Sequence, residues 1–300
     1  MHWLKSALAA ALLLAVAPAA AALNIFACEP EWGALARELA GDKASIYVAT
    51  TAFQDPHRIE ARPSLIARAR SADLLVCTGA QLEVGWLPLL QTQSGNDRIQ
   101  LGRPGYFEAA AYVTKLEVPR VLDRSLGDVH PAGNPHIHLD PHNIARVAEA
   151  LSQRLAALDP ANGDYYRAQS VRFLSRWREA IARWEKQGAA LNGLPVVVYH
   201  RDLSYFINWL KLREAGALEP KPGIPPSAGH LGALLAQLGR QPARAVVRAA
   251  YNDPRPAEWL AERAKIPVVT VPYTVGGTEQ AKDLFGLFDD TLARLLAVAK

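Results

Sequence analysis

One uninterrupted helical pattern, from about Ala161 to Gln187, constrains this chain more than any other feature. Its apolar positions Tyr166, Phe173, Leu174, Trp177, Ile181 and Trp184 recur at three-and-four spacing. Arg172, Arg176, Glu179, Arg183, Glu185 and Lys186 fill the other faces as solvated charges. At 1.5 Å per residue such a helix is roughly 40 Å long, about the width of a small domain. Gly188 and "LNGLP" end it.

On both sides of this helix the chain alternates short apolar runs with amphipathic stretches. Before it come "NIFAC", "EWGALARELAGD", "SIYVATT", "RPSLIARARSA", "DLLVCTG" and "QLEVGWLPLL". A further helix runs from Pro141 to about Leu158, with Asp140 as N-cap and Pro141 at the first helical position. After the long helix come "PVVVYH", "DLSYFINWLKL", a helix capped by Ser227, "ARAVVRAA", "PRPAEWLAERA", "IPVVTVPY" and a last helix over "TEQAKDLFGLFDDTLARLLAVAK". Strand–helix alternation of this kind builds parallel sheets covered by helices. The expected fold class is therefore α/β, with two lobes, each a mostly parallel sheet flanked by helices, joined by one long rigid helix. The expected divisions are 23–160, 161–190 and 191–300.

Residues 1–22 read differently. "MHWLKSALAAALLLAVAPAAAA" has one Lys, a short apolar run, Pro18 and small residues in an Ala-x-Ala pattern, as in a secretory signal peptide. Cleavage is expected near Ala22, giving a periplasmic protein. The net charge of +4 is spread along the chain without the basic stripe that nucleic-acid binding needs. The two cysteines, Cys28 and Cys77, close apolar runs. In an exported chain they suggest one disulfide, with two separate buried thiols as the alternative. Bulky Phe26 makes "IFAC" a poor site for lipid attachment to Cys28.

Four of the eight histidines lie in "GDVHPAGNPHIHLDPHN": His130, His136, His138 and His142. His142 reads as a solvated residue of the first helical turn. His136 and His138 form an H-x-H pair, which in an extended chain points both rings the same way. Asn134–Pro135 ahead of His136 makes a defined turn and favours it as a ligand; His130 is an outside candidate. His57 follows "SIYVATTAFQDP" and His200 ends "PVVVYH", so His57, His136 and His200 all stand where strands turn toward helices. His230 reads as a surface or core-edge residue, and His2 belongs to the leader. Three neutral imidazoles leave a fourth position for water or a carboxylate and favour Zn²⁺ over Mn²⁺.

Several of these motifs, in order, resemble the solute-binding proteins of zinc and manganese ABC transporters (cluster A-I, the zinc-uptake binding protein family). "QDPHRIEARPS" resembles its D-P-H…P-S element, and "ADLLVCTGAQLEVGWL" its strand followed by G-x-x-L-E-x-W-L. "GNPHIHLDPHN" resembles its N/D-P-H-x-W-L-D-P element, with His138 where the family often has Trp. The resemblance spans the whole mature chain. It implies a metal held between two lobes by His57, His136 and His200, delivery to an inner-membrane ABC permease, monomeric action and no catalysis.

The chain departs from the pattern in two places. Where the family often supplies an acidic fourth ligand, the sequence has Tyr273 and Thr274 in "VVTVPYTVGGTEQ". Glu279, Asp283 and Glu60 are the nearest acidic candidates, with water as the alternative. The long His-rich loop of many zinc members is also missing, and only "GDVHPAG" stands near its place. Glu83 is expected to hold a loop. The rival reading is an exported mononuclear zinc hydrolase, because three His plus water is also the open geometry of a catalytic zinc. An adhesin role, found on the same fold in some relatives, is a third.

Overall fold

The computed structural model describes residues 22–120, Gly127 and 130–300. The expected signal peptide, apart from Ala22, lies outside the described residues, as does part of "GDVHPAG".

The first sheet contains β1 (Leu23–Ala27), β2 (Ala44–Val48), β3 (Leu74–Cys77) and β4 (Tyr106–Glu108). Its order is β2-β1-β3-β4 and all pairings are parallel. Helices α1 (Pro30–Ala40), α2 (Pro63–Arg70) and α3 (Leu87–Ser94) connect or cover these strands. Two helices follow, α4 (Pro141–Leu158) and the long α5 (Gly163–Gly188). The second sheet repeats the scheme with β5 (Pro195–Val198), β6 (Arg213–Ala217), β7 (Ala245–Ala249) and β8 (Val268–Val271), in the order β6-β5-β7-β8, again all parallel. Helices α6 (Ser204–Leu210), α7 (Ala228–Leu238), α8 (Pro254–Ala264) and α9 (Leu284–Ala299) complete it.

Most helix limits follow the local chemistry. α4 spans the expected residues, and Asp140 accepts from the His142 N–H at its start. Ser227 caps α7 through the His230 N–H. α3 starts later than its apolar pattern suggests, because Ala80 and Gln81 adopt left-handed backbone angles that stop a helix there. α9 also starts late, at Leu284, where Asp283 accepts from the Gly286 N–H. Two strands carry no clear sequence signal. β4 has three residues, and β6, "REAGA", has no apolar alternation and pairs with β5 through a register shift between Val196 and Val197.

The expected disulfide forms between Cys28 and Cys77, with Cα atoms 4.8 Å apart, and ties the ends of β1 and β3. Glu83 holds the adjoining turn by accepting from the Thr78 N–H at 2.7 Å and the Gly79 N–H at 3.1 Å.

α5 fixes the relation of the two lobes. Its buried face carries Tyr166, Phe173, Leu174, Trp177, Ile181 and Trp184. Trp177 stacks on Phe173 with centroids 5.2 Å apart and meets Phe285 of α9 edge-on at 4.9 Å. Trp184 stacks on Phe288 at 4.9 Å. The indole N–H of Trp177 donates to the Pro141 carbonyl at 2.8 Å, anchoring α4 as well. One hydrophobic core therefore runs from the first sheet through α5 into the second. Hydrogen bonds also cross between the lobes: Tyr205 Oη donates to the Asn134 carbonyl at 2.7 Å, and Asn134 Nδ2 to the Arg201 carbonyl at 2.8 Å. Trp177→Ala is expected to lower the unfolding free energy by about 3–5 kcal/mol through cavity formation, read as a lower urea midpoint at unchanged slope.

Candidate metal centre

Three segments meet between the sheets, and each brings one histidine to a common group. His57 lies in the loop after β2. Asp55 accepts from its backbone N–H at 3.0 Å and stands 2.8 Å from its Nδ1, while Trp86 Nε1 donates to the Pro56 carbonyl at 3.0 Å. The D-P-H sequence thus makes a turn in which the acid orients the ring two residues later.

His136 precedes a 3-10 turn, Ile137–Leu139, that leads into α4. Asn134 Oδ1 accepts from its N–H at 2.9 Å, and the Tyr273 hydroxyl is 2.7 Å from its Nδ1. His200 follows β5. Glu219, two residues past β6, stands 2.7 Å from its Nδ1 and also accepts from the Gly223 N–H at 2.9 Å.

His57, His136 and His200 form a group whose donor atoms lie within 4.8 Å of one another. Their ring centroids are 5.3, 6.0 and 5.5 Å apart pairwise. The Nε2 atoms of His57 and His136 are buried and have no hydrogen-bond partner in the protein. An unpaired buried polar atom costs about 1–3 kcal/mol, so two at one point mark a place built for a ligand. The other group of this kind among the described residues, Cys28, Cys77 and Glu83, has its sulfurs in the disulfide.

The electrostatics separate the rings. Burial, then the neighbouring His57 and His200, hold His136 well below the usual histidine range, so it is neutral. For His200 burial acts downward, but the Glu219 hydrogen bond and the nearby Asp202 outweigh it and raise the ring. Asp55 is also opposed by burial, yet its contacts with His57 hold it below the usual carboxylate range.

The remaining histidines have other places. His138 is fully buried, with Nε2 2.9 Å from the Tyr273 carbonyl and Nδ1 3.2 Å from Glu31 Oε1. It does not chelate alongside His136, because the 3-10 turn between them replaces the extended backbone an H-x-H pair requires. His142 is exposed on α4 and pairs with Glu185 at 2.9 Å, and Glu179 is exposed on α5. His230 is half-buried, with Nε2 2.9 Å from the Ala217 carbonyl. His130 lies against His57 with ring centroids 5.3 Å apart, and burial lowers its pKa to about 4.

None of the acidic candidates joins the group of three. Glu60, Glu279 and Asp283 are exposed, and Asp283 is the α9 cap. Tyr273, where an acid was expected, is the partner of His136. Thr274 donates to Glu31 at 2.5 Å, across the lobes.

Sequence reasoning missed the residues behind the rings: Asp55, Glu219 and the pairing role of Tyr273. It also missed a buried carboxyl pair, Glu29 and Glu83, beneath the first lobe's strand ends. Burial, then the charges of Glu83 and Glu31, raise Glu29 well above the usual range. Burial pushes Glu83 up to about 7, against hydrogen bonds from Glu29, Thr78 and Gly79 that act downward.

A family model for the zinc-uptake complex component A, periplasmic, matches residues 25–298. The chain belongs to this family of metal-uptake ABC transporter solute-binding proteins. Among its relatives, the high-affinity zinc uptake system protein ZnuA of Yersinia pestis is 27% identical over 264 residues, 79% of this chain and 78% of the relative. The manganese ABC transporter substrate-binding lipoprotein PsaA of Streptococcus pneumoniae is 23% identical over 249 residues, 80% of this chain and 76% of the relative. A crystal structure of ZnuA superposes with a TM-score of 0.72 at 23% identity, covering 93% of this chain and 96% of that one. A manganese-bound periplasmic metal-binding protein from Candidatus Liberibacter asiaticus gives 0.74 at 17% identity, covering 92% and 99%. These structures share the two-lobed α/β fold. Among the described residues no helix is long and apolar enough to cross a membrane.

The Glu29–Glu83 pair binds protons more tightly folded than unfolded, so its contribution to stability is greatest at acid pH and declines as pH rises from the usual carboxylate range through about 7. Urea denaturation between about pH 5 and about pH 8 is expected to show this decline, and Glu29→Gln to flatten it by up to about 1.4 kcal/mol per pH unit.

Proposed function

We propose that this protein is an exported, monomeric solute-binding protein that captures Zn²⁺, in preference to Mn²⁺, through Nε2 of His57, His136 and His200. It then delivers the ion to an inner-membrane ABC permease. The observation that carries this reading is the convergence of three imidazoles whose Nδ1 atoms are all engaged, leaving Nε2 free toward one point. An imidazole ligand typically has its other nitrogen held in this way, which fixes tautomer and ring orientation.

Relatives named for zinc and for manganese both match the chain, so the donor set carries the choice of ion. Three nitrogens suit zinc, whereas manganese favours carboxylate oxygen. The two carboxylates nearest the rings, Asp55 and Glu219, face Nδ1 and serve as hydrogen-bond acceptors. That commitment makes those two carboxylates unavailable as the general base that the zinc hydrolase reading needs. The signal-peptide pattern of residues 1–22 supports export to the periplasm. Release calls for the rings to part. The core shared through α5 resists a wide hinge, and local displacement around His200 and the Glu219 segment is the smaller movement.

Metal analysis and competitive titration of Zn²⁺ against Mn²⁺ test this reading. One tightly held zinc per chain is expected, lost in His57→Ala, His136→Ala and His200→Ala. Normal binding in all three variants, or preference for Mn²⁺, overturns it. Turnover of ester, lactam or phosphate substrates by the zinc-loaded protein moves the assignment to the hydrolase. Glu219→Gln, which keeps the side-chain shape but removes the charge on the His200 acceptor, is expected to weaken zinc binding roughly 10–100-fold in the same titration.

A further inference from the structure

We propose that His138 and Glu31 are positioning residues: a clamp between the lobes that sets Tyr273 and, through Tyr273, the ring of His136. This rests on the three-histidine site argued above. His138 and Glu31 are fully buried, and Tyr273 and Thr274 are 2% exposed. The first two belong to the first lobe, in the turn before α4 and the first turn of α1. Tyr273 and Thr274 follow β8 in the second lobe.

Tyr273 is gripped at three points. Its carbonyl lies 2.9 Å from Nε2 of His138, and its ring meets that of His138 edge-on with centroids 4.8 Å apart. Its neighbour Thr274 donates to Glu31 Oε2 at 2.5 Å. At the far end its hydroxyl stands 2.7 Å from Nδ1 of His136. The 3-10 turn sends the two rings of the H-x-H pair to opposite ends of one tyrosine, His136 to the hydroxyl and His138 to the carbonyl. The motif therefore serves the centre without chelating in it.

Hydrogen-bond accounting ties Glu31 to this grip. A carbonyl only accepts, so His138 carries a proton on Nε2. Its Nδ1 faces Glu31 Oε1 at 3.2 Å, and among the described residues neither atom has another hydrogen-bond partner. Two buried lone-pair atoms at this distance need a proton between them. Glu31 thus fixes the His138 ring through one oxygen and Thr274 through the other. Without it, both restraints on the Tyr273 backbone lose their anchor.

Zinc titration of the full chain, with nitrogen NMR of the His136 ring in metal-free protein, tests the clamp. Tyr273→Phe, Glu31→Ala and His138→Ala are each expected to weaken zinc binding roughly 10–100-fold. Adding His138→Ala to Tyr273→Phe is expected to cost nothing more, because both act through the same hydroxyl; a general packing role would add its cost in either background. Glu31→Gln is expected to bind like wild type, since its amide N–H can donate to Nδ1 while its carbonyl accepts from Thr274. A urea transition of unchanged slope shows that each variant is folded, and Thr274→Val provides a milder variant should His138→Ala unfold. In metal-free wild type the His136 proton is expected on Nδ1, with a mixture of tautomers in Glu31→Ala and His138→Ala. An unchanged His136 tautomer in those variants, or an undiminished cost of His138→Ala in the Tyr273→Phe background, overturns the clamp. Normal zinc binding by His57→Ala, His136→Ala and His200→Ala overturns the underlying site instead, and the metal-free ring spectra then decide the clamp by themselves.

Discussion

The hydrogen bonds at the back of the three imidazoles govern the rest of this structure. A histidine offers a lone pair at Nε2 only when Nδ1 keeps its proton, and a proton there needs an acceptor once the ring leaves water. Asp55, Tyr273 and Glu219 fill that need from three different places: the loop after β2, the segment after β8 and the segment after β6. Each sheet is thus a device for bringing an acceptor to the far side of a ring whose near side faces the centre. Tyr273 crosses from the second lobe to a histidine of the first. The centre is therefore complete only when both lobes are in place.

That dependence explains the weight of aromatic material in α5. Strand ends in a parallel sheet point loops in one direction, and two such sheets can share a site only if their separation is held. Trp177 and Trp184 pack against α9, and Trp177 is bonded to the start of α4, so a displacement of one sheet would tear a continuous core. Tyr205, Asn134 and Thr274 add polar contacts nearer the centre. These short bonds hold segments next to His136 and Tyr273 and form a second layer of constraint beside the apolar one.

Much of this was legible in the residues. The three-and-four spacing around Trp177 marks a helix with one buried face, and the limits of α4 follow from Asp140 and Pro141. His57, His136 and His200 stand out because each follows a strand or a turn signal. The sequence could not reveal β6, since "REAGA" has no pattern of its own and becomes a strand by pairing with β5. With β6 hidden, Glu219 was hidden too. His138 misleads for a related reason: its spacing from His136 suggests chelation in an extended chain, and only the 3-10 turn shows that the rings diverge. Glu29 and Glu83 look ordinary in sequence, and their raised pKa values follow first from burial, to which the charges of Glu83 and Glu31 add at Glu29.

The disulfide has a topological effect beyond tying two strands. Cys28 and Cys77 are 49 residues apart, and the segment they enclose contains β2, His57 and α2. His57 and its partner Asp55 therefore sit inside a covalent ring, while His136 and His200 lie on open chain. Closing such a ring removes conformations from the unfolded ensemble rather than adding contacts to the folded one. If the protein opens to give up its cargo, the ring shortens the excursion available to the His57 loop, and the larger displacement falls to the other two histidines.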